Sequence, residues 1–392
     1  MATTSELTVQ TILDALRPSN SAENWHQTFQ DRAINWNDLA IRAIVLGLAP
    51  QLYHRLAAWE IEIPARAFAK LKVTHSAQTK RAANIYQQLN SVLEAAPSYG
   101  LEPIVLKGAH LAAHVYADPA LRPMNDIDLL FRPKKLADAE RMLRDLGYGG
   151  KHKSAETGAG VTKHTSTFKR DSGTDNTPNP YLSAGNDRMI EPHRSLEESW
   201  YGLKVDITPQ VRERAELAQF GAHQARVLCR TDLLLHVCVH FCFHLIEGAP
   251  SLVQFTDSLT VAQAGGVDWD DFVVRAVERQ AAPFALAALT LSKKLLDAPV
   301  SAETLTQLRE ATPPRLQEHI AQLGLRDILK RSQQKPVQTL SDRIQRGYQD
   351  RAATALWASD LNSRWQVWRT LVDVTKTDTG RMLLGQKAKQ EI

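Results

Sequence analysis

Apolar residues recur at three- and four-residue spacing from residue 5 to about residue 96, with few strand-like runs, and the last stretch of this pattern predicts a long helix over roughly 64–96. The pattern breaks at Pro97-Ser98-Tyr99-Gly100, a turn-forming cluster, and a short β-branched run, Pro103-Ile104-Val105-Leu106, follows as a candidate buried strand. A helix over 109–116, a turn-rich loop over 117–123, a strand over 127–132 and an amphipathic helix over 134–146 come next, so the local order is β-α-β-α. Between 147 and 186 the chain turns to Gly, Ser, Thr, Lys, Asn and Pro and reads as a loop-rich insertion holding one strand over 164–170. A strand over 189–193 closes the α/β segment, and from Arg212 the pattern is read as helical to the end, with a boundary near Pro313-Pro314.

This patterning predicts an α+β protein in which a small mixed sheet with helices is flanked by helical regions at both ends. The expected division is an N-terminal helical region (1–97), the α/β core (98–208) with its insertion at about 149–187, a helical domain (209–312) and a C-terminal helical extension (313–392). One internal echo is visible. Ile34-Asn35-Trp36-Asn37-Asp38 and Val267-Asp268-Trp269-Asp270-Asp271 open similar helices, and Arg42, Ala43 and Ala49-Pro50 match Arg275, Ala276 and Ala282-Pro283 in spacing. A shared N-cap on amphipathic helices accounts for the echo as well as a duplication does.

Composition narrows the class only slightly. With 43% hydrophobic and 23% charged residues the chain is ordinary for a folded globular protein, and its net charge of +4 is not gathered into a basic block of the kind a dedicated DNA-binding surface carries. The three cysteines, Cys229, Cys238 and Cys242, sit in one short apolar stretch, which is not a disulfide framework and suits a reducing compartment such as the cytoplasm. The first residues lack a signal-peptide pattern and no run has the length of a membrane span, so no membrane partner is expected.

Candidate chemistry centres on Asp126-Ile127-Asp128. In a strand alternate side chains share a face, so Asp126 and Asp128 converge while Ile127 and Leu129 pack on the other side. Two carboxylates that close favour a hard divalent cation between them. Upstream, the strand over 104–106 runs through Lys107-Gly108-Ala109 into a helix, placing a glycine turn and a helix N-terminus where backbone N–H groups can cradle phosphate. At this point the chain resembles the nucleotidyltransferase superfamily, and within it a family of uncharacterised nucleotidyltransferase-like proteins with the pattern L-K-G-x-x-L, a tyrosine, then R-P-x-x-D-I-D-L-L. The matching residues are Leu106-Lys107-Gly108-Ala109-His110-Leu111, Tyr116 and Arg122 through Leu130, and the later Ile190-Glu191-Pro192-His193-Arg194 looks like that family's acid-x-His strand. The resemblance covers about residues 30–300.

The resemblance implies transfer of a nucleoside monophosphate from an NTP, ATP among the candidates, to an acceptor hydroxyl, with pyrophosphate as leaving group. It assigns Asp126, Asp128 and Glu191 to catalysis and to Mg2+ or Mn2+. Lys107, Gly108, Ala109, Arg122 and His193 are assigned to the nucleotide, and the acceptor is left as a small molecule, tRNA or protein. Three positions depart from the family pattern. Ala109 replaces a second glycine or a serine, with Lys107 or Arg122 as electrostatic substitutes, Asn125 stands where a small residue is usual, and Pro192 is expected to interrupt the third strand. They motivate two alternatives, an inactive nucleotide- or partner-binding protein that keeps the fold and a toxin-like modifier of tRNA or protein.

Other features carry weaker signals. His236, His240 and His244 fall on one helical face and could ligate zinc, yet the Val, Phe and Leu around them and the lack of an H-E-x-x-H acid fit a packing helix; a middle reading sets one of the three close enough to the nucleotide pocket to contact phosphate or acceptor. The stretch with Trp357, Trp365, Val367 and Trp368 reads as a helix with its aromatic face buried. The basic residues, His152 and His164 of the 151–169 segment read as solvated loop.

Overall fold

The computed structural model describes residues 4–29, 34–152, 166–170, 187–329 and 339–372. Four helices open the chain, α1 (Thr4–Leu16), α2 (Ala22–Phe29), α3 (Trp36–Val45) and α4 (Ala49–Ala58), followed by the long α5 (Ala65–Ala95). The α/β unit then runs β1 (Ile104–Val105), α6 (Lys107–His114), β2 (Asp126–Leu130), α7 (Leu136–Asp145), β3 (Gly149–His152), β4 (Ser166–Lys169) and β5 (Met189–His193). Two hairpins follow, β6 (Glu197–Trp200) with β7 (Leu203–Asp206), and β8 (Glu216–Phe220) with β9 (His223–Val227). The rest is helical: α8 (Arg230–Ile246), α9 (Leu252–Ala264), α10 (Trp269–Glu278), α11 (Ala282–Leu296), α12 (Ala302–Glu310), α13 (Pro314–Gln322), α14 (Leu325–Leu329), α15 (Leu340–Leu356) and α16 (Leu361–Val372). No helix among the described residues is long and apolar enough to cross a membrane.

The α+β expectation holds, with one substantial correction. The main sheet has seven strands in the order β3-β4-β5-β2-β1-β9-β8, so two of its strands lie beyond Arg212, where the apolar spacing predicts helix. Leu217 and Phe220 stand three apart as on a helix face, but Leu217 is exposed, and the strand is defined by its pairing with β9 around the left-handed Gly221. The helical pattern begins at Arg230 instead. β3 also falls within the stretch expected to be loop, and the strand expected over 164–170 is described from Ser166 to Lys169. His164 and most of the 149–187 insertion lie outside the described residues.

The sheet separates two apolar cores. Val105, Ile127, Leu129, Phe168, Ile190 and Val227 pack on the α5 and α7 side. Ile104, Leu106, Leu130 and Leu228 belong to the larger core built with α8, α9 and α11. Residues that alternate with Ile127 and Leu129 therefore face the C-terminal helices.

The internal echo has a structural counterpart. Asn35 caps α3 through the Asp38 N–H and Asp268 caps α10 through the Asp271 N–H, each helix is ten residues long, and each is followed by a helix with proline in its first turn. The C-terminal aromatics divide. Trp357 is buried and stacks on Phe284 at 5.3 Å, whereas Trp365 is exposed.

Candidate active site

The site begins where β1 turns into α6. The Leu106 N–H donates to the Asp128 carbonyl at 3.0 Å, and Lys107 then adopts φ +41°, a left-handed conformation unusual for a residue with a side chain. That turn redirects the chain from strand to helix and brings the Lys107 ammonium 3.2 Å from Asp128 Oδ1. Leu106, the N-cap of α6, supplies no side-chain acceptor, so the first N–H groups of this helix are left to find a partner from outside it.

On β2, Asp126 and Asp128 share the face that looks toward the C-terminal helices. β5 runs parallel beside it in a register that sets Met189 opposite Asp126, Glu191 opposite Asp128 and His193 opposite Leu130. The pairing continues through Pro192, opposite Leu129, so the expected interruption of this strand does not occur. Among the described residues β5 registers with β4 only at Phe168 and Ile190, and the β2 ladder runs on through Pro192.

Asp128 and His193 are buried, with His193 Nε2 2.6 Å from Asp128 Oδ1. Thr167 on β4 donates to Glu191 Oε1 at 3.2 Å. One ligand atom each of Asp128, Glu191 and His193 lie within 4.8 Å of one another, a grouping that could hold a metal ion. His193, expected at the nucleotide, thus sits behind Asp128 with no exposed surface.

The electrostatics are those of an anionic cluster. Burial pushes the Asp126 carboxyl up to about 7, and the negative charges of Asp128 and Glu191 push the same way against Lys107 and Arg122. Burial would depress the Lys107 ammonium, yet the carboxylates of Asp128, Asp126, Glu198 and Glu191 together hold it above its ordinary value. Glu198, on β6, is a carboxylate that no sequence motif marked; it enters the site through the hairpin and through its bond to His240 on α8.

Arg122, expected at the nucleotide, has a buried partner. Its Nε and Nη2 meet Asp257 Oδ1 and Oδ2 at 3.1 and 2.8 Å, and Tyr116 Oη donates to the same carboxylate at 2.9 Å. Asp257 lies on α9, so the motif tyrosine and arginine tie the β2 loop to the helical region. Gly108 makes room for this arrangement, since a Cβ there would stand 2.6 Å from Arg122 Nη1 and 3.0 Å from Met124 Cγ. Ala109 is buried in the α5-side core beneath Tyr86, whose hydroxyl donates to the Ala109 carbonyl at 2.9 Å. Its methyl therefore packs, and only its backbone N–H remains for phosphate.

The histidine row on α8 does not converge on a zinc site. His236 and His240 have ring centroids 6.1 Å apart, His240 bonds Glu198 and Gln254, and His244 faces Glu247. Cys238 and Cys242 are free thiols buried in the core, and burial raises both above the ordinary thiol range.

Against known proteins, a family model described as uncharacterised nucleotidyltransferase matches residues 32–297. No curated protein and no solved structure matches the chain.

Proposed function

The chain belongs to the uncharacterised nucleotidyltransferase family, and from that membership and its carboxylate-rich sheet face we propose that it is a divalent-metal-dependent nucleotidyltransferase. It moves a nucleoside monophosphate from an NTP to an acceptor hydroxyl and releases pyrophosphate. The observation that carries this reading is the β2–β5 register, which sets Glu191 beside Asp128 with Asp126 two residues away on the same face. A carboxyl pushed up to about 7 by burial and like charge marks a site short of positive charge, and the oxygen-rich donor set fits Mg2+ or Mn2+.

Asp126, Asp128 and Glu191 would hold the metal, which when bound neutralises charge on the triphosphate and on the departing pyrophosphate. His193 bonds Asp128 Oδ1 and so fixes the orientation of that carboxylate, as partners of ligating groups commonly do. Lys107 and the first-turn N–H groups of α6 face the triphosphate, and the left-handed turn at Lys107 keeps both on one side of Asp128. Arg122 acts on the nucleotide only indirectly, by anchoring the loop before Asp126 to Asp257.

The test is label transfer. Incubation with ATP, GTP, CTP or UTP labelled at the α-phosphate, with Mg2+ and cell extract, is expected to label RNA, protein or a small molecule, and the fraction labelled identifies the acceptor. The Asp126→Ala/Asp128→Ala double variant should transfer at least about a thousandfold more slowly. Transfer from the γ-phosphate instead, or undiminished transfer by the double variant, would overturn the proposal.

A further inference from the structure

Glu198 joins two parts of the molecule. Its Oε1 is 2.8 Å from His240 Nδ1 on α8, and its charge also bears on the Lys107 ammonium that pairs with Asp128. The other ring nitrogen, His240 Nε2, lies 3.2 Å from the Gln254 amide nitrogen on α9. A ring flanked in this way has one consistent neutral arrangement. Nδ1–H donates to the carboxylate, and the Nε2 lone pair accepts from the amide. This is the arrangement of a general base, a proton-free nitrogen whose opposite face meets a carboxylate that stabilises the imidazolium it becomes.

The hairpin that presents Glu198 is held from outside. A Cβ at Gly202, in the β6–β7 turn, would meet the Gln366 backbone of α16 at 3.2 Å, and the Arg351 guanidinium of α15 stands 4.1 Å from the Tyr201 ring centroid. Helices beyond the family match thus brace the strand that carries the carboxylate. Groups facing His240 include Glu198 from β6, Gln254 from α9, and His236 and His244 from its own helix, with His244 edge-on at 4.5 Å and itself paired with Glu247.

We propose that His240, oriented by Glu198, takes the proton from an electrically neutral acceptor hydroxyl bound between the β6–β7 hairpin and α8. The inference rests on the nucleotidyltransferase reading above. In the step, the acceptor O–H proton passes to His240 Nε2 in place of the Gln254 contact, the freed oxygen bonds to the α-phosphorus, and the bond from that phosphorus to the α,β-bridging oxygen breaks as pyrophosphate leaves. Glu198 is a positioning residue that acts through His240. The charges of Asp126, Asp128, Glu191 and Glu198 all bear on Lys107, so a phosphate-terminated acceptor would be repelled here and an alcohol, on a ribose or a side chain, is the class that fits.

The experiment compares wild type, His240→Gln and Glu198→Gln by Mg·NTP calorimetry and by the pH dependence of transfer to the acceptor fraction that wild type labels. NTP affinity should change less than about threefold in His240→Gln. The turnover rate should fall about 10²- to 10³-fold in His240→Gln, with loss of the acid limb of the pH profile, and less in Glu198→Gln, where that limb should move to lower pH. Wild-type transfer with His240→Gln equal to it in rate and profile would overturn this inference alone, whereas absence of wild-type transfer would overturn the parent reading with it. If His240→Gln does not fold, nitrogen NMR of histidine-labelled wild type decides, since the inference requires the Nδ1–H tautomer at His240 and an Nε2–H tautomer contradicts it.

Discussion

Two groups of buried charge lie on the same side of the central sheet and are balanced differently. Around Asp257 and Asp232 every carboxylate meets arginine. Asp257 takes a bidentate Arg122 and the Tyr116 hydroxyl, and Asp232 lies 2.6 Å from Arg275 Nε and 3.1 Å from Arg214 Nε, while Arg214 also reaches Asp271. Around Asp128 the ratio is reversed, with Asp126, Asp128, Glu191 and Glu198 set against Lys107 and, at Asp126, the already paired Arg122. Both groups are costly to bury. The balanced one offsets that cost within the folded chain and fastens helices to the sheet, and on the proposed reading the unbalanced one is completed by a cation. On the proposed reading, charge imbalance in a buried cluster, more than burial or carboxylate count, is what separates the reactive face from the structural one.

The comparison breaks most readily at Asp257. Asp257→Asn leaves Arg122 buried without its counter-charge and should cost about 3–5 kcal/mol in urea unfolding; a loss under about 1 kcal/mol would mean the node is not structural. Gly108→Ala tests the same node from the other side. The added methyl meets Arg122, and destabilisation of about 1–3 kcal/mol is expected, with reduced NTP affinity as the arginine is displaced.

In the unbalanced cluster the sign reverses, so Asp126→Asn should stabilise the metal-free protein by about 1–2 kcal/mol at pH 8. The Asp126 carboxyl stands at about 7 in the fold against an ordinary 3.8. Its contribution to stability is therefore fully present below the ordinary value and lost as pH rises through about 7. Thermal unfolding should accordingly show the wild-type curve falling relative to Asp126→Asn between pH 4 and 7, and parallel curves would contradict the assignment.

The parts of this picture that the sequence carries are those written in local patterns. The D-x-D strand is marked by alternation and the Lys107-Gly108 turn by a glycine at a helix start, Glu191 is marked by the family resemblance, and all three come together in space. Asp257, Glu198 and Thr167 carry no such mark, because each acquires its role only through a partner distant in sequence, namely Arg122, His240 and Glu191. His240 is visible only as one of a row of three. The hairpin of β8 and β9 escaped for a related reason, since the spacing of Leu217 and Phe220 imitates a helix and only sheet pairing distinguishes it. Pro192 misleads in the opposite direction, as a local breaker tolerated where a strand has little pairing on its other side.

The central claim, that the excess of negative charge around Asp128 is a divalent-metal site, is tested most directly by thermal unfolding of wild type and Asp126→Asn/Asp128→Asn at pH 8 with and without Mg2+ or Mn2+. Metal at about a hundredfold its dissociation constant should stabilise wild type by about 2.7 kcal/mol and remove most of its loss of stability between pH 4 and 7. The double variant should respond to neither ion. An equal metal response in both proteins, or none in wild type, would contradict the account.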